Sequence, residues 1–459
     1  MADSSILLDF SVKQDVRKLT KNEFVQIAAA EKLGQLITQQ LSEVDKFLEQ
    51  KEAEQGFDSL LSGRAHNTIT IQGTRGSGKT SFIRNILHDI RHNSTGGDAR
   101  LLGKGVDYKS LVVLDVFDPT LIENKQNVFV LVLACIKEKV EKVYKDASKQ
   151  KKTSYSEWQD KLRDLAQGLS LMDGVGGELT STENWEDAVY ILQKGLKKAH
   201  SGQTLEEKFH DFVTASLKLI EAHVTYKPKA FVIAIDDVDT DFSRAWPMLE
   251  TLRRYLTSPQ LILILSGDLN LYSMLIRQNM WRNFGNELLD HDLLNRRGRQ
   301  PDVQKGGATQ ISEMIDHLEG QYLQKILSPS RRIDLKTLGR LLRDGQKVDV
   351  KKDGAVDAGE IQFVVGGRLK KLLSLQDVNG DVELYRALMF GLPMRFTLQI
   401  IDALLENKEE DSVVKILTIF TDVLMRHGLS ASEVAEMAEI ETLQMLVKFL
   451  IENDLWAEG

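Results

Sequence analysis

The chain has 459 residues, enough for two to four domains with a sizeable core. Hydrophobic residues make up 42% and charged residues 27%, which excludes a largely disordered chain, and only seven prolines argue against long linkers. The net charge of −8 supplies no global field for tracking nucleic-acid phosphates, and the single cysteine, Cys135, excludes an internal disulfide and any Cys-x-x-Cys metal or redox site.

No N-terminal stretch has the order of a signal peptide, and the longest apolar run, Val128 to Ile136, falls far short of the ~18 residues that a bilayer crossing takes. A cytoplasmic chain without membrane contact is the expectation. Ile6-Leu7-Leu8-Asp9-Phe10 is a short apolar patch to which the pattern assigns no role. From Asn22 to about Glu54, apolar residues such as Leu33, Ile37, Leu41, Val44 and Leu48 recur at three and four. That spacing predicts one long amphipathic helix, buried against a core or a neighbouring subunit and closed by Gln55-Gly56.

Gly73-Thr74-Arg75-Gly76-Ser77-Gly78-Lys79-Thr80 has the spacing G-x-x-x-x-G-K-[ST]. Before it, Thr68 to Gln72 alternates as a strand does; after it, Ser81 to Leu87 has helical spacing. Strand, glycine loop and helix together form a phosphate cradle, with loop N–H groups and the positive end of the helix turned toward the anion. Residues Gly73 to Ser81 are therefore the candidate nucleotide contacts. In that chemistry Lys79 reaches the β- and γ-phosphates, and the Thr80 hydroxyl takes one position on Mg²⁺.

Leu111 to Phe117 is nearly all apolar and predicts a strand covered on both faces, closed by Asp118-Pro119. A helix is expected from about Asn127 to Tyr144. Residues 145–205 change composition, with basic residues from Lys149 to Lys152 and a glycine loop from Leu171 to Gly177 between helical stretches. They predict a helical insertion between core strands. A helix from Leu205 to Val224 leads to Phe231-Val232-Ile233-Ala234-Ile235-Asp236-Asp237-Val238-Asp239.

Five apolar residues ending in paired acids are the pattern of a strand that delivers carboxylates to a phosphate site. Asp236 would hold Mg²⁺ through its waters, and Asp237 would polarise or orient the attacking water, with Asp239 shaping the surroundings. After a helix from Trp246 to Leu256, the strand Leu261 to Leu265 ends in Ser266-Gly267-Asp268. This order of motifs resembles that of additional-strand P-loop ATPases, in which the strand after the acids ends in a polar residue beside the γ-phosphate; the resemblance implies that role for Ser266 or Asp268.

Residues 270–345 read as helical and arginine-rich. Lys347 to Val350, the Asp353-Gly354 turn and Ile361 to Val365 predict a small β-hairpin at about 346–366. Asp377, Asn379 and Asp381 lack the glycine offset and the closing glutamate of a calcium loop and read as a turn. Gly391-Leu392-Pro393-Met394-Arg395 opens a helix, and residues 411–459 predict about three more. One cysteine also excludes a zinc deaminase signature, so any base chemistry has to reside on a partner.

The set resembles the KAP group of P-loop NTPases, close to the STAND and AAA+ classes. The resemblance is carried by 73–80, by Ile235 to Asp239, by Leu265 to Asp268, by Tyr322-Leu323-Gln324-Lys325-Ile326-Leu327 with Ile333-Asp334-Leu335, and by Leu392-Pro393-Met394-Arg395. It implies an α/β fold: a parallel sheet of the additional-strand class with a helical insertion and a C-terminal helical lid. The expected organisation is an N-terminal helical segment 1–58, a core 59–270, a lid 271–410 and a helical segment 411–459. The resemblance further implies ATP with Mg²⁺, a sensor residue at Ser266 and a lid arginine at Arg395. It also implies an arginine supplied by a neighbouring subunit of a ring, for which Arg253, Arg254, Arg297 and Arg332 are candidates.

Val113 to Ile122 and Ala234 to Leu256 are similar to the ATPase subunit of the anti-phage system RADAR. That resemblance implies a ring-forming ATPase that works with a separate adenosine deaminase. Those ATPases are longer, so a shorter relative or an N-terminal portion is expected. Two other classes fit the same motifs: a nucleotide-gated scaffold that recruits a partner, and a nucleic-acid motor. The acidic charge and the lack of an aromatic–basic stripe count against the motor.

Overall fold

The computed structural model describes residues 5–11, 18–53, 67–93, 100–119, 128–146, 152–169, 201–238, 242–296, 307–352, 359–372, 381–406, 415–416 and 418–419. Asp239, Arg297, the glycine loop at 171–177, the Asp353-Gly354 turn, Asp377, Asn379 and almost all of 411–459 lie outside them. The chain divides into two compact units, one of residues 1–27, 73–85 and 334–459, the other of 28–72 and 86–333.

In chain order the elements are β1 (Ile6–Asp9), α1 (Ile27–Ala53), β2 (Thr68–Gln72), α2 (Lys79–Asn93), β3 (Leu111–Phe117), α3 (Val128–Asp146), α4 (Lys152–Leu169), α5 (Ser201–Glu221), β4 (Ala230–Ile235), α6 (Phe242–Arg254), β5 (Leu261–Gly267), α7 (Leu269–Arg296) and α8 (Gly307–Ile326). They continue with β6 (Arg332–Asp334), α9 (Leu338–Arg343), β7 (Val348–Lys351), β8 (Gly359–Glu360), α10 (Ile361–Leu372), α11 (Asp381–Gly391) and α12 (Met394–Leu404). No described helix is long and apolar enough to cross a membrane.

The larger unit is built on a five-stranded sheet in the order β3-β4-β5-β2-β6. The ladders β3–β4, β4–β5 and β5–β2 are all parallel. Every residue of β4 and β5 is buried, which is why both read as unbroken apolar runs: helices cover both faces of a parallel sheet. β5 lies between β2 and β4, so the strand that enters the glycine loop and the strand that delivers the acids are separated by one added strand. The register pairs Gln72 with Gly267 and Ile235 with Leu265, so β2, β4 and β5 end on the same edge. In open parallel sheets the carboxyl ends of the strands are where ligands bind.

The described part of the expected insertion is not peripheral. Trp158 of α4 is buried in the main core with Phe129, Phe209, Phe212 and Phe231. Its indole N–H donates to Ser216 Oγ at 2.8 Å, which satisfies the one polar atom of a large apolar side chain. α1 buries its apolar face within its own chain: Gln40 donates to the Pro259 carbonyl at 3.0 Å and accepts from the buried Arg331 at 2.7 Å.

In the smaller unit, the apolar patch at residues 6–10 finds its role. β1 pairs in parallel with β7, Ile6 opposite Val348 and Asp9 opposite Lys351. Ile6 and Leu8 face a core with Val350, Ile361, Leu388 and Ile400, while Leu7 points outward at 38% exposure, the period-2 pattern of a strand.

The hairpin expectation needs a correction. β7 does pair antiparallel with a second strand, but that strand is only Gly359–Glu360, and Ile361 to Val365 is the start of α10. Ile361, Val365 and Leu369 are all buried at a spacing of four, whereas Phe363 is 75% exposed. A run of apolar residues this short satisfies either period, and packing against the small core selected the helix.

Candidate functional site

The glycine loop follows β2 directly and runs into α2, whose first residue is Lys79. Gly76 and Gly78 hold φ of 91° and 93°, in the left-handed region where a side chain is penalised. The loop closes on itself: Ser77 N–H donates to the Thr74 carbonyl at 3.1 Å, and Phe82 N–H to the Gly78 carbonyl at 2.9 Å. Lys79 is buried, and its ammonium donates to the carbonyl oxygens of Gly73 at 2.8 Å and Thr74 at 3.4 Å, which folds it back along the loop. Ser77 Oγ is buried with no hydrogen-bond partner. Thr74 and Arg75 are exposed, and Thr80 and Ser81 are half-buried in the first turn of α2. A lysine folded over the loop, an orphaned hydroxyl and a helix N-terminus together fit a polyphosphate.

Arg395 belongs to the same unit as this loop. Its main-chain N–H donates to the Gly76 carbonyl at 2.9 Å, and its side chain is exposed. A Cβ on Gly76 would lie 3.5–3.7 Å from Pro393, Arg395 and Phe396, so the start of α12 packs directly on the loop tip.

The other unit brings together Asp236, Asp237 and Ser266. Asp236 leaves the end of β4 buried, its N–H donating to the Phe117 carbonyl at 2.8 Å. Asp237 adopts φ of 50°, the only described residue other than glycine with a positive φ. Ser266, fully buried at the end of β5, donates its hydroxyl to the Asp236 carboxylate and accepts from the Asp237 N–H at 3.0 Å. One hydroxyl therefore bridges a carboxylate and the strained peptide that follows it. Asp268, the other candidate on this strand, accepts from Asn270 N–H at 3.0 Å and caps the start of α7 instead. Asp239 and Arg297 lie outside the described residues.

The remaining arginine candidates are engaged within the chain. Arg332 donates its Nε to the Leu327 carbonyl at 2.8 Å. Arg253 grips Glu250 through Nε at 3.2 Å and a terminal nitrogen at 3.1 Å, while Arg254 holds the same carboxylate through Nε at 2.6 Å. The Tyr322 hydroxyl also donates to Glu250, and its ring stacks on Trp246 at 4.9 Å. Burial would push the Glu250 carboxyl up, but the bonds from Arg253 and Tyr322 and the charges of Arg253 and Arg254 outweigh it and hold the carboxyl below its ordinary value. Trp246, Glu250, Arg253 and Arg254 line an open cavity of about 480 Å³ with Pro247 and Asn279. The sequence pattern marked the arginines but missed Glu250, whose signal was Arg at both i+3 and i+4.

Among the described residues, no three His, Cys, Asp or Glu side chains gather into a metal cage. Magnesium in such sites takes one or two protein oxygens and otherwise uses water and phosphate, so a cage is not required.

The model of the KAP family P-loop domain matches residues 51–292, just over half of the chain. The chain belongs to the KAP family of P-loop NTPases. Nucleotide binding and hydrolysis is the chemistry of this KAP domain, and the match runs from the last turn of α1 into α7. A search of curated proteins finds no match.

Proposed function

We propose that this KAP NTPase hydrolyses ATP with Mg²⁺. The observation that carries the reading is the Ser266 hydroxyl shared between the Asp236 carboxylate and the Asp237 N–H, at the sheet edge where β2 also ends. In that reading Lys79 and the loop N–H groups of Gly73 to Ser81 bind the phosphates, and Thr80 and Asp236 hold the metal. Magnesium held by Thr80 and Asp236 would supply charge neutralisation at the phosphate oxygens. Asp237 orients the attacking water and accepts its proton, from a backbone held in the left-handed region. Arg395 reaches the phosphates from the loop tip that its own main chain holds.

The finer reading is a ring of subunits acting in anti-phage defence beside an adenosine deaminase. It is supported by the similarity of Val113 to Ile122 and Ala234 to Leu256 to the RADAR ATPase subunit. ATP as the base is supported by the absence of any Asn-Lys-x-Asp tetrad.

The test is Asp237→Asn. Asn tolerates the left-handed backbone and keeps the fold, so ATP binding is expected to stay within a few-fold while phosphate release falls by about 10²-fold or more. Unchanged phosphate release would remove Asp237 from the chemistry. Electron micrographs with and without a non-hydrolysable nucleotide test the ring, and a monomer in both removes it.

A further inference from the structure

Tyr272 stands in the first turn of α7, fully buried, and no sequence pattern singled it out. Its hydroxyl donates to the main-chain carbonyl of Ser266 at 2.9 Å. Its ring lies so close to Gly267 that a Cβ built there would meet ring atoms at 2.5–2.6 Å. Its own N–H donates to the Asp268 carbonyl at 3.0 Å. The side chain thus braces two consecutive residues at the end of β5, from a helix turn that its own N–H helps to open. The first of them carries the hydroxyl that links Asp236 to Asp237.

We propose that Tyr272 is a positioning residue for hydrolysis, acting through Ser266. It holds the Ser266 peptide so that the hydroxyl stays shared between the Asp236 carboxylate and the Asp237 N–H, and it ties that pair to the first turn of α7. The proposal rests on the hydrolytic reading above. The physical reason is leverage: a serine hydroxyl has one short arm, so where it can reach is set by its main chain. The Tyr272 bond is made to that main chain, from a helix rather than from the sheet. A displacement well under 1 Å at Ser266 would detune the carboxylates, and errors of that size in a positioned group are costly. Gly267 supports the same account, since any side chain there would expel the Tyr272 ring.

Tyr272→Phe keeps the ring and deletes only the hydroxyl. The expected result is a kcat lowered about 3- to 10-fold, a KM for ATP within 2-fold, and a thermal midpoint shifted by no more than a few degrees. Ser266→Ala and the double variant Ser266→Ala with Tyr272→Phe should then share one kcat, because a residue that acts through Ser266 has nothing left to position. Gly267→Ala, which displaces the ring, should lower kcat in the same way. The proposal is overturned if Tyr272→Phe turns over at the wild-type rate, or if its loss multiplies with that of Ser266→Ala. If the wild-type protein releases no phosphate from ATP, the hydrolytic reading falls and takes this one with it; turnover with multiplicative losses removes Tyr272 alone.

Discussion

The Arg395 N–H donates to the Gly76 carbonyl across 2.9 Å, so the tip of the phosphate-binding loop is fastened to the start of a helix more than three hundred residues later in the chain. The bond is made by main chain on both sides. Whatever the Arg395 side chain does, the loop keeps this support when the side chain is removed.

Arg395→Ala should therefore leave the fold alone, with stability within about 0.5 kcal/mol of wild type as for other exposed positions. Turnover should fall by about 10²-fold if the guanidinium stabilises phosphate charge. Denaturant unfolding and phosphate release check the two halves separately. Wild-type turnover would mean that only the backbone of this residue matters.

Lys79 is already bound to the loop carbonyls of Gly73 and Thr74. Lys79→Ala removes the charge aimed at the phosphates together with these internal bonds. ATP affinity should drop by at least about 10-fold, and stability should fall by about 1 kcal/mol for the lost hydrogen bonding. Titration calorimetry measures the first. An affinity equal to wild type would move the nucleotide away from this loop.

Asp237 offers a case in which stability and activity should part. A φ of 50° costs a residue with a β-carbon roughly 1 kcal/mol, and glycine escapes most of it. Relief of that strain offsets part of what the variant loses in side-chain interactions and in added unfolded-state entropy, so Asp237→Gly should stay within about 1 kcal/mol of wild type while phosphate release is lost. A variant that is clearly destabilised would show that the carboxylate holds the fold rather than the chemistry.

Glu250 predicts a dependence on pH. Its folded carboxyl lies below the ordinary value of 4.5. A depressed carboxyl contributes stability above the unfolded value and loses it as pH falls through the folded one. Glu250→Gln lacks that contribution and leaves Arg253 and Arg254 side by side without their shared anion. The variant should melt below wild type at pH 7, and the gap should close as the pH drops under about 4.5. A gap of constant size from pH 7 to pH 3 would show that shape rather than charge holds the cluster.

Much of this protein was written in local pattern. Thr68 to Gln72, the glycine loop and the helix after it were legible because strand alternation, positive-φ glycines and helical spacing are properties of a few consecutive residues. The buried strands β4 and β5 were legible for a related reason: covering both faces of a sheet removes the polar half of the pattern. What no local pattern could hold was which residues meet. The pairing of residues 6–9 with 348–351 joins segments more than three hundred residues apart in the chain. The choice of helix over strand at Ile361 came from the core beneath it.

At the site, both Ser266 and Asp268 had the right chemistry within three residues. Only the register of β5 beside β4 set Ser266 on the carboxylates and left Asp268 to cap a helix. Tyr272 was invisible for the same reason, since it acts through a main-chain carbonyl that folding brings to it, whereas Glu250 carried a local signal in its two arginines. Residue type and spacing determined that phosphate chemistry was written into this chain. Tertiary packing decided which hydroxyl meets the paired acids and which backbone holds it, because hydrogen bonds are made across space at about 3 Å and not along the sequence.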